Sequence, residues 1–278
     1  MTTLHFSKMH GIGNDFVIVD ARDHPLALSI EQIRQLADRR RGVGFDQLLT
    51  IEHSPDDDCA FAYGIWNTDG STAGQCGNGV RCVAAWLARD GALPRGAVRL
   101  SSPSGPVEVE QLDDGQVRVG MGIPQFDPIS IPLVAQRNGG FYEAVFGEQT
   151  IAFDAVSMGN PHAVIEVGSV DRAGVATIGP ALENSPFFPE RCNVGFVQVL
   201  ARDHLRLRVW ERGVGETLAC GTGACAAVAC LRQRNRVDSR VAVDLPGGSL
   251  HIEWEGSGHA LWMTGAASFT FDGEWQIS

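Results

Sequence analysis

The chain has 278 residues, 44% hydrophobic and 20% charged, enough apolar material for two compact domains or one large one. Its net charge of −11 argues against a duplex-binding protein, which needs a basic face to neutralise phosphate. No run of about 18 apolar residues occurs, so no membrane-spanning helix is expected.

In chain order, Met1 to Phe6 lack the apolar core of a signal peptide. The seven cysteines are an odd set, suited to a reducing compartment rather than to a disulfide framework. A cytosolic protein is expected. A first helix is predicted from Ser29, a capping residue type, to about Arg41, with Arg39-Arg40-Arg41 read as its solvated end. Phe61, Tyr63 and Ile65 alternate as a strand does. A second helix is predicted from Gly77-Asn78-Gly79 through Trp86-Leu87. Val107 to Glu110 and Val117 to Met121 flank Asp113-Asp114-Gly115, a hairpin signal. Leu205, Leu207 and Val209 alternate with arginines as another strand. A further helix is predicted from Gly221-Thr222-Gly223 through Leu231. The class is α+β.

The pattern repeats. Gly13-Asn14 recurs as Gly159-Asn160, Val43-Gly44-Phe45 as Val194-Gly195-Phe196, and Trp66 as Trp210. Cys76-Gly77-Asn78-Gly79 recurs as Cys220-Gly221-Thr222-Gly223, and Pro103-Ser104-Gly105 matches Pro246-Gly247-Gly248. A period this long means two tandem domains rather than a solenoid. They are placed at 1–120, with 267–278 returning to the first half, and at 121–266.

Cys76 and Cys220 each precede Gly-x-Gly and a helix. A helix start presents unpaired N–H groups and partial positive charge, and glycine lets a ligand approach them, so each place suits a carboxylate. The same field favours thiolate, and cysteines so placed titrate at about 3.5–7.5. Two pseudo-symmetric thiols suggest one site between the halves, where a stereocentre loses a proton to one sulfur and gains one from the other. The pair would titrate together. The other cysteines (Cys59, Cys82, Cys192, Cys225 and Cys230) read as packing residues. No Cys-x-x-Cys or His-Glu-x-x-His motif occurs, so no metal is expected. Cys76 to Arg81 lacks the third glycine of a dinucleotide fingerprint. Lys8 is the only obvious lysine, and none stands out for pyridoxal phosphate, so no cofactor is expected.

At these residues the chain resembles the diaminopimelate epimerase family. The matching text is Asn14-Asp15-Phe16, Asn67 with Asp69-Gly70-Ser71, and Gln75 through Cys82. In the second half it is Met158-Gly159-Asn160-Pro161-His162, Arg191-Cys192-Asn193, Glu211-Arg212-Gly213 and Glu216-Thr217 through Ala224. The resemblance implies two similar halves, each a β-barrel-like sheet around a central helix. It implies cofactor-independent interconversion of LL- and meso-diaminopimelate, an isomerase step serving lysine and peptidoglycan synthesis. A cytoplasmic homodimer whose domains close on substrate is also implied. Cys76 and Cys220 would be the acid–base pair, with His162 and Glu211 supporting catalysis. Substrate ligands would be Asn14, Gln47, Asn67, Gly77, Asn78, Asn160, Asn193, Glu211, Arg212, Gly221 and Thr222. Thr222 stands where relatives often carry serine and keeps a hydroxyl and a backbone donor.

Two rivals remain from the residues alone. A proline or hydroxyproline racemase would share the paired thiols but need no ligands for a distal amino-acid end, which Glu211-Arg212 supplies. A non-catalytic amino-acid-binding or redox-sensing protein would bind ligand without exchanging its Cα proton.

Overall fold

The computed structural model describes residues 2–74, 76–137, 140–146 and 149–277. In chain order the elements are β1 (Thr2–Gly11), β2 (Asn14–Asp20), α1 (Ile30–Ala37), β3 (Gln47–Glu52), β4 (Phe61–Asn67) and α2 (Gly77–Arg89). Then come β5 (Val98–Ser102), β6 (Gly105–Gln111), β7 (Val117–Gly120), β8 (Tyr142–Phe146), β9 (Gln149–Ser157) and β10 (Pro161–Glu166). After a short 3-10 turn follow α3 (Val175–Glu183), β11 (Asn193–Ala201), β12 (His204–Glu211), β13 (Gly215–Thr217) and α4 (Gly221–Gln233). The chain ends with β14 (Arg240–Leu245), β15 (Gly248–Glu253), β16 (Trp262–Gly265) and β17 (Ser268–Ile277). Among the described residues no helix is long and apolar enough to cross a membrane.

The chain divides into two compact units, Met1–Gly120 with Thr264–Ser278, and Met121–Met263. In the first, β17 pairs antiparallel with β1 along nearly its whole length. The sheet then runs β1–β2 antiparallel, β2–β3 parallel, β3–β4 antiparallel, β4–β5 parallel, and on through β6 to β7. Helix α2 packs on β1, β2 and β3 and also on β6 and β7, so the sheet curls around it. Its Val80, Cys82, Val83, Ala84, Ala85 and Leu87 are buried. A helix covered on most sides must be apolar around most of its girth.

The second unit repeats this order. β8–β9 and β9–β10 are antiparallel, β10–β11 parallel, β11–β12 antiparallel, β12–β14 parallel and β14–β15 antiparallel. Helix α4 packs on β9, β10, β11, β12 and β15. It is buried from Ala224 through Leu231 and carries six alanines or cysteines, interrupted only by Val228, before Leu231. Such small side chains let strands approach a helix from several directions. The strand β8 thus occupies beside β9 the place that β17, from the far end of the chain, occupies beside β1.

One sequence match is not an equivalence. Val43-Gly44-Phe45 leads into β3, whereas Val194-Gly195-Phe196 lies inside β11. The registers instead align Gln47 with Asn193, since Phe16 pairs with Gln47 and His162 with Asn193. The first helix also ends earlier than expected, at Ala37. The Asp38 carboxylate accepts the backbone N–H groups of Arg40 and Arg41 (2.8 and 3.0 Å), which draws the chain out of the helical ladder.

Candidate active site

Asn14 opens β2, Gln47 opens β3, Asn67 closes β4, and Cys76 caps α2. Parallel β2–β3 and antiparallel β3–β4 pairing puts these termini at one end of the first unit. Gln47 Nε2 donates to Asn67 Oδ1 (3.1 Å), and Asn67 Nδ2 donates to Ser71 Oγ (3.1 Å). Cys76 Sγ lies 3.9 Å from Asn14 Oδ1 and accepts from the Gly79 N–H (3.3 Å). Asn78 Nδ2 also donates to Asn14 Oδ1 (3.3 Å). Gly77 and Asn78 form the buried first turn of α2. Gln75, part of the motif, lies outside the described residues.

The orientation of Asn14 is set from behind. Its Nδ2 donates to Asp46 (2.7 Å), which also accepts the Asp15 N–H (3.0 Å). Arg39 bridges Asp46 and Asp15 (both 2.7 Å), and Lys8 bonds Asp15 (2.5 Å) and the Gly44 carbonyl. Burial works to raise the Asp15 pKa, but Arg39 and Lys8 outweigh it and hold the carboxyl well below its usual range. With its Nδ2 on Asp46, Asn14 turns its oxygen toward Cys76 and Asn78. Arg39 is therefore part of this network, not merely a solvated helix end. Arg81, fully buried, donates to the carbonyl of Gly77 (3.2 Å) and of Ala266 (3.3 Å).

In the second unit the matching positions are Asn160 and His162 at β10, Asn193 at the start of β11, Glu211 at the end of β12, and Cys220 capping α4. Asn193 Nδ2 donates to the Pro161 carbonyl (3.1 Å), and its Oδ1 accepts the Arg212 N–H (3.0 Å). The exposed Arg212 also donates from Nη1 to the Glu190 carbonyl (3.2 Å). Thr217 Oγ1 donates to Glu211. Cys220 Sγ lies 3.7 Å from Thr222 Oγ1. Gly221 is buried in the first turn of α4.

Burial pushes the Cys220 thiol well above its ordinary pKa, and the Glu211 carboxylate adds to this. The Thr222 hydroxyl and the Gly223 N–H pull the other way. The lowered pKa expected at a helix start is therefore not found at Cys220, because desolvation exceeds the helix-start donors. His162 is fully buried, and burial with Arg212 nearby brings its pKa down to about 3. Its Nε2 pairs with Asn160 Oδ1 (3.0 Å), and an amide oxygen only accepts, so Nε2 carries the proton.

Two acidic residues in these clusters, Asp46 and Glu183, are not singled out by sequence. The Glu183 carboxylate accepts from Trp210 Nε1 and the Gly213 N–H (both 2.7 Å). The groups they orient, Asn14 and the Asp15 N–H for Asp46 and Trp210 and the Gly213 N–H for Glu183, lie about 30 residues away, so no local pattern announces them. Among the described residues no group of three or more His, Cys, Asp or Glu side chains is placed to hold a metal. A surface cavity lined by Ser7, Trp86 and Asp272 contains none of the site residues. Its polar groups pair with one another, Trp86 Nε1 donating to Ser7 Oγ and Ser7 Oγ to Asp272.

Comparison with known proteins places this geometry. The family described as diaminopimelate epimerase matches residues 6–126 and 154–270. The chain is 54% identical over 274 residues to the diaminopimelate epimerase of Xanthomonas axonopodis pv. citri (strain 306), covering 98% of this chain and 96% of that one. The enzyme of the same name from Xanthomonas euvesicatoria pv. vesicatoria (strain 85-10) matches equally well. Among solved structures, a hydroxyproline epimerase from Agrobacterium vitis with bound trans-4-hydroxy-L-proline superposes with a TM-score of 0.71 at 16% identity, covering 98% of this chain and 92% of that one. A predicted epimerase from Pseudomonas aeruginosa gives 0.68 at 15%, covering 99% and 100%. At such identities these two speak for the α+β epimerase fold alone. The family match and the 54% identity over nearly the whole length say more: the chain belongs to the diaminopimelate epimerase family.

Proposed function

We propose that this protein interconverts LL- and meso-2,6-diaminopimelate by moving a proton at Cα between two cysteine sulfurs, without a cofactor. The reading rests on family membership at 54% identity. The observation that carries the mechanism is that Cys76 and Cys220 cap topologically equivalent buried helices. In one direction Cys76 serves as base and Cys220 delivers a proton from the opposite face; the reverse reaction exchanges the roles. Burial beside Glu211 favours Cys220 as the thiol of the pair.

The remaining residues have roles their chemistry suits. Helix-start N–H groups of Gly77-Asn78 and Gly221-Thr222 receive the reacting carboxylate, where carbanionic charge develops. Arg212 forks onto the distal carboxylate and Glu211 takes an ammonium, while Asn14, Gln47, Asn67, Asn160 and Asn193 orient polar groups. His162, held neutral, supports the catalytic groups by position rather than by charge. The product serves lysine and peptidoglycan synthesis, and the working form is a cytoplasmic homodimer.

The test is deuterium incorporation at Cα in heavy water, with reduced protein and no added cofactor. Exchange with inversion on diaminopimelate, lost in both Cys76→Ala and Cys220→Ala, is expected. Exchange on proline instead would overturn the substrate while keeping the two-thiol chemistry. Binding of diaminopimelate without exchange, in folded and reduced protein, would overturn the enzymatic reading.

A further inference from the structure

Helix α3 ends on Glu183, whose side chain is only 6% exposed. Its two oxygens have separate tasks. Oε2 accepts the indole N–H of Trp210, and Oε1 accepts the backbone N–H of Gly213, each at 2.7 Å. Trp210 immediately precedes Glu211, and Gly213 immediately follows Arg212. One carboxylate therefore holds both ends of the two-residue segment Glu211-Arg212.

Other contacts make the arrangement unforgiving. The Trp210 ring lies across Gly179 of the same helix, where an added Cβ would come within 2.7 Å of the indole. Gly213 has φ of 74°, a conformation that few other residues adopt. The Arg191 guanidinium lies 3.6 Å from Glu183 Oε1, and Arg191 precedes Cys192-Asn193. Asn193 in turn accepts the Arg212 N–H. A buried acceptor facing two N–H donors must be a carboxylate. An amide has one acceptor oxygen, and its NH2 would face the second donor.

We propose that Glu183 is a positioning residue that fixes Glu211 and Arg212 for the distal end of the substrate. This rests on the reading of those two residues as diaminopimelate ligands. The first-unit counterpart is tied differently: Arg34 of α1 donates to the carbonyl of Asp69 (3.0 Å), beyond Asn67. A carboxylate at this place thus belongs to the half that carries Glu211-Arg212.

The experiment uses the full chain with Glu183→Gln, Trp210→Phe and the double variant. Glu183→Gln should raise KM for diaminopimelate about tenfold, because its NH2 opposes one donor. In the double variant the amide oxygen can take the Gly213 N–H and its NH2 no longer meets an indole N–H. KM should then return to within about threefold of Trp210→Phe alone. A purely structural role would instead make the two losses additive, and an unchanged KM in Glu183→Gln would overturn the proposal outright. A second readout needs no substrate: in nitrogen-15-labelled protein, the Trp210 indole, Arg212 and Gly213 resonances should all shift in Glu183→Gln. Unmoved Arg212 and Gly213 resonances would overturn positioning even if KM rose. Wild-type protein inert on diaminopimelate would defeat the functional reading instead, while those resonances would still decide what Glu183 does to the segment.

Discussion

A single ring nitrogen sets the charge of His162. Buried and near Arg212, it has a pKa of about 3 against an ordinary 6.5. Between those values the unfolded chain binds a proton that the folded chain refuses. The contribution to stability is therefore complete above about pH 6.5 and is lost as pH falls toward 3. Urea unfolding at about pH 7 and about pH 4.5 should differ more in the wild type than in His162→Gln, which keeps a donor for Asn160. An identical difference in both would mean that His162 is not the group titrating. Asp46 makes a different prediction. It is 43% exposed and shares its charge with Arg39, so Asp46→Ala should cost less than about 1 kcal/mol of stability. It should nevertheless lower kcat/KM about tenfold, since the Asn14 amide is freed to turn away from Cys76. Loss of activity that merely tracks unfolding would refute this. Cys76 and Cys220 were legible as helix caps because Gly-x-Gly and an apolar run follow each. Asp46 and Glu183 were not, because a carboxylate's partners are chosen by tertiary structure, and an isolated acidic residue reads as a solvated one.

Among the elements, the two capping cysteines differ in how tightly the next turn presses on them. A Cβ at Gly223 would lie 2.9 Å from Val209 and 3.2 Å from Cys220 Sγ; at Gly79 the nearest atoms are Leu49 at 3.2 Å and Cys76 Sγ at 3.4 Å. Gly223→Ala should therefore push α4 off β12, costing about 1–3 kcal/mol and most of the Cα exchange. Gly79→Ala should be milder on both counts. Thermal melts alongside exchange rates check this ranking, and equal effects would refute it. The apolar repeats of α2 and α4, and the hairpin around Asp113-Asp114-Gly115, were visible because their periodicity is local. The Ser29 cap was visible too, and both halves of its capping box form with Gln32. Helix α3 was not seen. It is nine residues long with Pro180 inside it, and proline normally signals a break. The end of α1 was misplaced because Asp38 competes for backbone N–H groups that helical periodicity would assign to the ladder.

Across the whole molecule, the two units share one strand order; the sequence displays the recurring motifs at nearly equal spacing but not that order, which long-range pairing sets. The outlying match at Val43-Gly44-Phe45 misled, since three small or apolar residues recur easily in strands and turns alike. The strand β17 makes a prediction at this scale. Ending the chain after Ala267 would remove it and uncover the full edge of β1. An uncovered edge invites aggregation, and unit 1 should lose its protection while unit 2 keeps its own. Limited proteolysis should then digest residues 1–120 while sparing 121–263; equal survival of both would count against it. The placement of β17 also orders events during synthesis. Domains fold as their residues leave the ribosome. Unit 2 is continuous in sequence and has all its parts once residue 263 has emerged. The half bearing Cys76 is translated first, yet it must wait for β17, which follows the whole of unit 2. Unit 2 therefore has all its parts before unit 1 does, and a chain stopped after residue 263 carries a finished second unit and an unfinished first.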